Sequence, residues 1–156
     1  MQPTNKAASS SRSGHAVVEI ALISPWIFLL FIGIFDVGFY YYAAISTANA
    51  ARVAAMYTAG TSTLDDSHSA CTAAIEEMRE LPNIKSGVNC PGVCAAGSAC
   101  TAGPLKVTAN SIDQGPDGGP PATQVTVQYQ TVNLIPIPGL AGSFTLKRTV
   151  QMRQRL

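Results

Sequence analysis

Sixteen consecutive residues from Ile20 to Phe35, IALISPWIFLLFIGIF, carry no charged group. After Asp36 the apolar run resumes as VGFYYYAAI to Ile45, and Ala16–Val18 extends it past Glu19 on the other side. A helix rises about 1.5 Å per residue, so about 20 residues cross a bilayer core of about 30 Å. The stretch from Ala16 to Tyr42 is long enough to span with some tilt. A buried core helix of a soluble protein is the alternative, but such helices usually carry a polar stripe, and none is present here. Phe39, Tyr40, Tyr41 and Tyr42 close the run as an interfacial aromatic belt. The segment predicts a single membrane span.

Composition agrees. Charged residues are only 12% of the 156 and hydrophobic ones 47%. Ten Lys and Arg against nine Asp and Glu leave a net charge of +1, so there is no basic field to grip nucleic-acid phosphates. Lys6 and Arg12 precede the span with no acid beside them, whereas Arg52, Asp65 and Asp66 follow it. The positive-inside rule then places the N-terminus in the cytoplasm and the residues beyond about 45 outside.

Three kinds of N-terminal segment share this look. A secretory signal has an apolar core of about 7–15 residues before a small-x-small cleavage site. Ala48-Asn49-Ala50 could serve as that site, but the run before it is too long. A plain anchor has no reason to hold Glu19 near its start. A prepilin leader is short, polar and basic, ends in Gly, and precedes an apolar helix with Glu at its fifth position. Counting from Gly14, the residues are His15, Ala16, Val17, Val18 and Glu19.

The segment from Ser13 to Gly60 closely resembles the N-terminal region of TadE-like pseudopilins of the tight-adherence (Flp, type IVc) pilus systems. The matching residues are Arg12 and Gly14, Ala16 and Val17, Val18-Glu19, Ala21-Leu22, Pro25, and Ala50-Ala51-Arg52-Val53-Ala54-Ala55. Here Ser13 separates Arg12 from Gly14, where many members have Arg directly before the Gly. The resemblance implies processing by a prepilin peptidase between Gly14 and His15, and subunit assembly through Glu19 and Pro25. A carboxylate in a membrane is costly, about 2.5–3.5 kcal/mol at a helix centre and less near an interface. Snorkelling is the bland alternative for Glu19. The functional one is that Glu19 of one subunit neutralises the α-amino group freed on His15 of its neighbour. Pro25 has no N–H and crowds the carbonyl of Ala21, which should kink or loosen the helix. Asp36 lies near the outer boundary, and Gly33 and Gly38 are too far apart for a GxxxG dimer motif.

Beyond the span, Ala43–Ala59 reads as a helical extension rich in small residues, ended at Gly60-Thr61-Ser62-Thr63. A second helix is expected from Asp65 to Leu81, stopped by Pro82, with Ala70, Cys71, Ala74, Ile75 and Met78 as its buried stripe. Glu76, Glu77 and Glu80 fall toward its solvated face. Residues 82–104 read as an irregular Gly/Ala/Cys-rich stretch. Three segments then alternate with a period of two: Leu105–Asn110, Val125–Gln130 and Phe144–Met152. Arg148 falls on the apolar side of the last, which suggests a bulge or a side chain snorkelling to an edge. The links between them, Asp113–Pro121 and Pro136–Gly142, are Gly/Pro-rich. The expected fold class is α+β: a long N-terminal transmembrane helix leading into a small extracytoplasmic head with a second helix and a roughly three-stranded antiparallel sheet.

Cys71, Cys90, Cys94 and Cys100 all follow the span, in what the topology makes an oxidising compartment, and are expected to form disulfides. Four cysteines allow three pairings, and the sequence does not choose among them. A four-thiolate zinc site is the competing reading, opposed by the missing C-x2-C spacing and by the topology. No enzyme motif is present: no P-loop, no GxGxxG, no HExxH, and no sequence-defined catalytic partner for His15 or His68. Asp113 and Asp117 sit in a loop that lacks the EF-hand positions. No catalytic residue, metal or cofactor is assigned.

The parts are therefore a cytoplasmic leader at 1–14, a transmembrane helix at 15–45, its extracytoplasmic extension at 46–60, and a disulfide-containing head at 61–156. The expected function is that of a pseudopilin, a minor subunit or assembly factor in pilus biogenesis and adhesion, in a bacterial inner membrane or the pilus. Its expected partners are other pilins, the prepilin peptidase, the inner-membrane assembly platform and membrane lipid, with no nucleic acid. The alternatives are a bitopic membrane-anchored binding protein and a secreted disulfide-bonded module released after Ala50.

Overall fold

The computed structural model describes residues 13–60, 63–84, 87–92, 94–112, 120–132 and 142–154. The leader cations Lys6 and Arg12, the loop acids Asp113 and Asp117, and most of both Gly/Pro-rich links lie outside the described residues. The chain forms two compact units, Met1–Gly38 and Phe39–Leu156. One helix, α1 (Ser13–Ala59, 47 residues), contributes to both, and Pro25 sits within it without interrupting it. In the first unit its large apolar side chains, from Val17 to Val37, are exposed except for the half-buried Ile32.

In the second unit α1 presents a face of small residues. Ala43, Thr47, Ala50, Ala51, Ala54, Ala55 and Thr58 are fully buried. Each buried hydroxyl is satisfied within the helix: Thr47 Oγ1 donates to the Ala43 carbonyl at 2.7 Å, and Thr58 Oγ1 to that of Ala54 at 3.1 Å. Thr58 also meets Thr123 Oγ1 at 3.1 Å, which ties the helix to the sheet. The Gly60 N–H closes the helix on the carbonyls of Met56 and Tyr57, both at 3.2 Å.

The second helix, α2 (Ser67–Met78), is shorter at each end than the pattern suggests. Its start is fixed by Asp66, whose carboxylate accepts the N–H groups of His68 and Ser69 at 3.0 and 3.1 Å and the Ser69 hydroxyl. It ends at Met78, and tight turns follow through Leu81 and Ile84, whose N–H groups bond to the carbonyls of Met78 and Leu81. Ala70, Cys71, Ala74 and Met78 form the buried stripe, with Ile75 half-buried. The two bonds from Ser69, with a smaller contribution from the His68 N–H, outweigh partial burial and hold the Asp66 carboxyl below its ordinary value. Such a group stabilises the fold fully above the ordinary aspartate pKa near about 4, and the contribution fades as pH falls through the lowered value. Asp66→Ala is accordingly expected to cost about 1 kcal/mol at neutral pH. In denaturant unfolding of the detergent-solubilised chain, that difference should shrink as the medium is acidified.

The sheet has four strands rather than three, all antiparallel in the order β1-β2-β3-β4: β1 (Cys100–Ala102), β2 (Leu105–Ile112), β3 (Ala122–Gln130) and β4 (Thr145–Arg153). The added strand is only three residues long. It folds back on β2 through Gly103, whose φ of +56° is the left-handed conformation that glycine adopts without penalty. Leu105, Val107 and Ala109 of β2 and Val125, Val127 and Tyr129 of β3 face the core and are fully buried. Burial raises the Tyr129 phenol pKa, and its hydroxyl donates a hydrogen bond to Asn83 Oδ1. Arg148 pairs with Val127 in unbroken register, so no bulge forms there. It stays exposed because β4 is an edge strand.

Within the second unit the strands run alongside α1. Thr58 meets Thr123 at one end, while Tyr40 stacks edge-on against Phe144 (5.0 Å between centroids) at the other. The helix climbs about 27 Å between Tyr40 and Thr58, and the strand about 26 Å from Phe144 to Met152 opposite Thr123.

Candidate functional site

Two sets of residues bear on function, one in each unit. In the first unit Gly14, His15, Glu19 and Pro25 all lie on α1 and are exposed. His15 and Glu19 are four apart and so share a helix face. A side chain built at Gly14 would meet nothing within 4 Å, so the demand for glycine there does not come from packing. The helix is long and apolar enough to cross a membrane, with a mean hydropathy of 2.4 over its most apolar 18 residues and none of that window buried.

In the second unit all four cysteines are oxidised. Cys71 on α2 joins Cys90, and Cys94 joins Cys100 at the start of β1. Of three possible pairings the fold selects the one that pins the irregular stretch to the helix at one point and to the sheet at another. His68 Nδ1 donates to the Pro91 carbonyl at 2.8 Å and steadies the turn between the two bridges. The imidazole and the sulfurs of Cys94 and Cys100 lie within 4.8 Å of one another. With both sulfurs bonded to each other, neither is a thiolate, so the trio offers one good ligand rather than three. The structure does not gather the cysteines into a four-thiolate site.

Sequence reasoning missed a second face of α1. Tyr41, Tyr42, Ile45, Val53, Met56 and Tyr57 are 39–69% exposed, although they belong to the head-bearing part of the helix. Tyr42, Ile45, Val53 and Met56, with the polar Asn49 between them, recur at helical spacing and form an exposed, mostly apolar stripe. The signal is present in the sequence but is masked there by the alanines of the buried face.

Residues 14–56 match the protein family described as TadE-like protein. Over this stretch the chain belongs to the TadE-like family. The match covers Gly14, His15, Glu19 and Pro25 and most of both faces of α1, and it stops before the cysteines and the sheet. TadE-like proteins are structural and assembly factors of Tad pili rather than enzymes. No curated protein and no solved structure matches the chain.

Proposed function

We propose that this chain is a membrane-inserted pseudopilin, a minor subunit or assembly factor of a Tad pilus, with its N-terminus cytoplasmic and its head extracytoplasmic. A prepilin peptidase removes residues 1–14 by cutting between Gly14 and His15. Glu19 and Pro25 then serve contacts with other pilins and with the inner-membrane assembly platform. The observation that carries the reading is the extent of exposed apolar surface on α1. It runs from Val17 to Tyr57, roughly twice the ~20 residues a bilayer needs. A simple anchor has no use for the second half. A subunit that packs helix against helix does, because apolar side chains beyond the bilayer need partners to leave water.

N-terminal sequencing of the membrane-extracted protein tests this. A start at His15 is expected, and Gly14→Leu should retain the leader because the peptidase must thread a small, extended backbone. A start at residue 1 or 2 would instead indicate a bitopic anchor, and a start at Ala51 a secreted module.

A further inference from the structure

On the outer face of the sheet, away from both helices, Lys106 of β2, Gln128 of β3 and Lys147 of β4 form one cross-strand row. Adjacent strands are about 4.8 Å apart, so the two lysines stand about 10 Å apart at the backbone with a neutral amide between them. Both are exposed, and neither has an ion-pair or hydrogen-bond partner among the described residues. Two exposed ammonium groups about 10 Å apart repel only weakly across water, and an anion seated between them would attract both.

Beside this row is a cavity of about 240 Å³, lined by the turn at 103–105 and by Lys106, Gln128, Gln130 and Thr145, while Lys147 is not one of its walls. Drug-sized ligands occupy pockets of about 300 Å³ and more, so this one suits a single small polar group. Among its walls an ammonium, two amides and a hydroxyl can donate to oxygen acceptors, although the Gln130 amide already gives one hydrogen bond to Ser143 Oγ at 3.4 Å. The acids Glu76 and Glu77 belong to α2, which packs on the opposite face of the sheet, and Glu80 follows closely after that helix.

The row sits at a particular height. Gln130 pairs with Thr145, the residue after Phe144, and Phe144 stacks on Tyr40, whose hydroxyl donates to the Gly142 carbonyl at 3.3 Å. Tyr40 belongs to the aromatic group that closes the apolar run. Lys147 lies three residues along β4 from Phe144, about 10 Å, and its stem is long enough to bend back toward that end.

We infer that Lys106 and Lys147, with Gln128, Gln130 and Thr145, bind the headgroup phosphate of an anionic phospholipid at the outer leaflet and seat the head on the membrane surface. The inference rests on the membrane-inserted reading above. It adds a second, electrostatic attachment to the hydrophobic one.

The full chain, reconstituted in nanodiscs of phosphatidylcholine or of a phosphatidylcholine–phosphatidylglycerol mixture, provides the test. Acylation of Lys106 and Lys147 by an amine reagent is followed by peptide mass spectrometry against an added free amine as standard. Each lysine is expected to react about fivefold more slowly in the anionic discs, the factor matching its attraction to an anionic surface. Lys106→Gln/Lys147→Gln should retain less phosphatidylglycerol after partial delipidation, read by native mass spectrometry. Equal labelling in both discs, or unchanged retention in the variant, overturns the inference alone. Protection by inorganic phosphate in phosphatidylcholine discs that equals the protection by phosphatidylglycerol would also overturn it, in favour of a free-anion site. A chain that does not enter discs at all overturns the membrane reading, and this inference with it.

Discussion

Replacing the Cys71–Cys90 bridge with alanines is expected to destabilise the head by about 3 kcal/mol, from the entropy returned to an unfolded chain no longer closed into a loop. The bridge spans 19 residues of sequence and anchors its loop to Cys71, a fully buried residue on the inner stripe of α2. Between Leu81 and Cys100 the fully buried hydrophobic side chains among the described residues are few: Leu81, Ile84 and Cys100 itself. Burial therefore offers little to replace the covalent tie. Cys94–Cys100 spans only 6 residues, and its removal should cost nearer ~2 kcal/mol by the same loop argument. Urea unfolding of the detergent-solubilised chain, wild type against each double-alanine variant, orders the two losses. All four cysteines should also resist alkylation until a reductant is added. A larger loss from Cys94→Ala/Cys100→Ala would show that something other than loop closure sets the stability each bridge confers.

For Glu19→Gln the expected result is a protein that is inserted and cleaved but does not co-assemble, with piliation sharply reduced. Glutamine keeps the size and hydrogen-bonding reach of the side chain while removing its charge, so insertion should persist or improve. Under the proposed mechanism, what is lost is neutralisation of the α-amino group on His15 of a neighbouring subunit. Near the membrane boundary water is scarce, so that pair should be worth more than the ~0–1 kcal/mol of an exposed salt bridge. Glu19 makes no ion pair within its own chain among the described residues, which leaves it available to another. Cross-linking between subunits near residues 15 and 19 should fall in the variant while the amount of membrane protein stays constant. Normal assembly of Glu19→Gln would reduce Glu19 to an interfacial residue.

Much of this fold is legible in the residues because its signals are local. An uncharged run gives α1, and period-two alternation gives β2, β3 and β4. Asp66 is visible as an acid at a helix start, although its capping geometry is not. The features that escape are those set by distant partners. β1 has three residues, too few for a period, and exists because Gly103 lets it fold back on β2. The cysteine pairing depends on where α2 packs against the sheet, which no spacing encodes. Arg148 reads as a register fault in the alternation. It is tolerated because β4 has a neighbour on one side only, a fact of strand order rather than of sequence. The row of Lys106, Gln128 and Lys147 is invisible for a similar reason, since the two lysines come near one another only through the register of three strands.

The two faces of α1 in the head invert the usual relation between size and burial. Its alanines and threonines are inside, and its tyrosines, isoleucine and methionine are outside. Change should therefore be tolerated in the opposite sense from an ordinary core helix. Enlarging Ala50 or Ala54 should disrupt the core they are buried in, whereas trimming Tyr57 or Met56 should leave the isolated subunit intact. Over evolutionary time the inner face is locked by a geometric minimum, because nothing smaller than alanine keeps good helix propensity. The outer face answers only to whatever it touches. Lineages of this protein should then drift fastest where the side chains are largest, and that drift should track the helices of their partners.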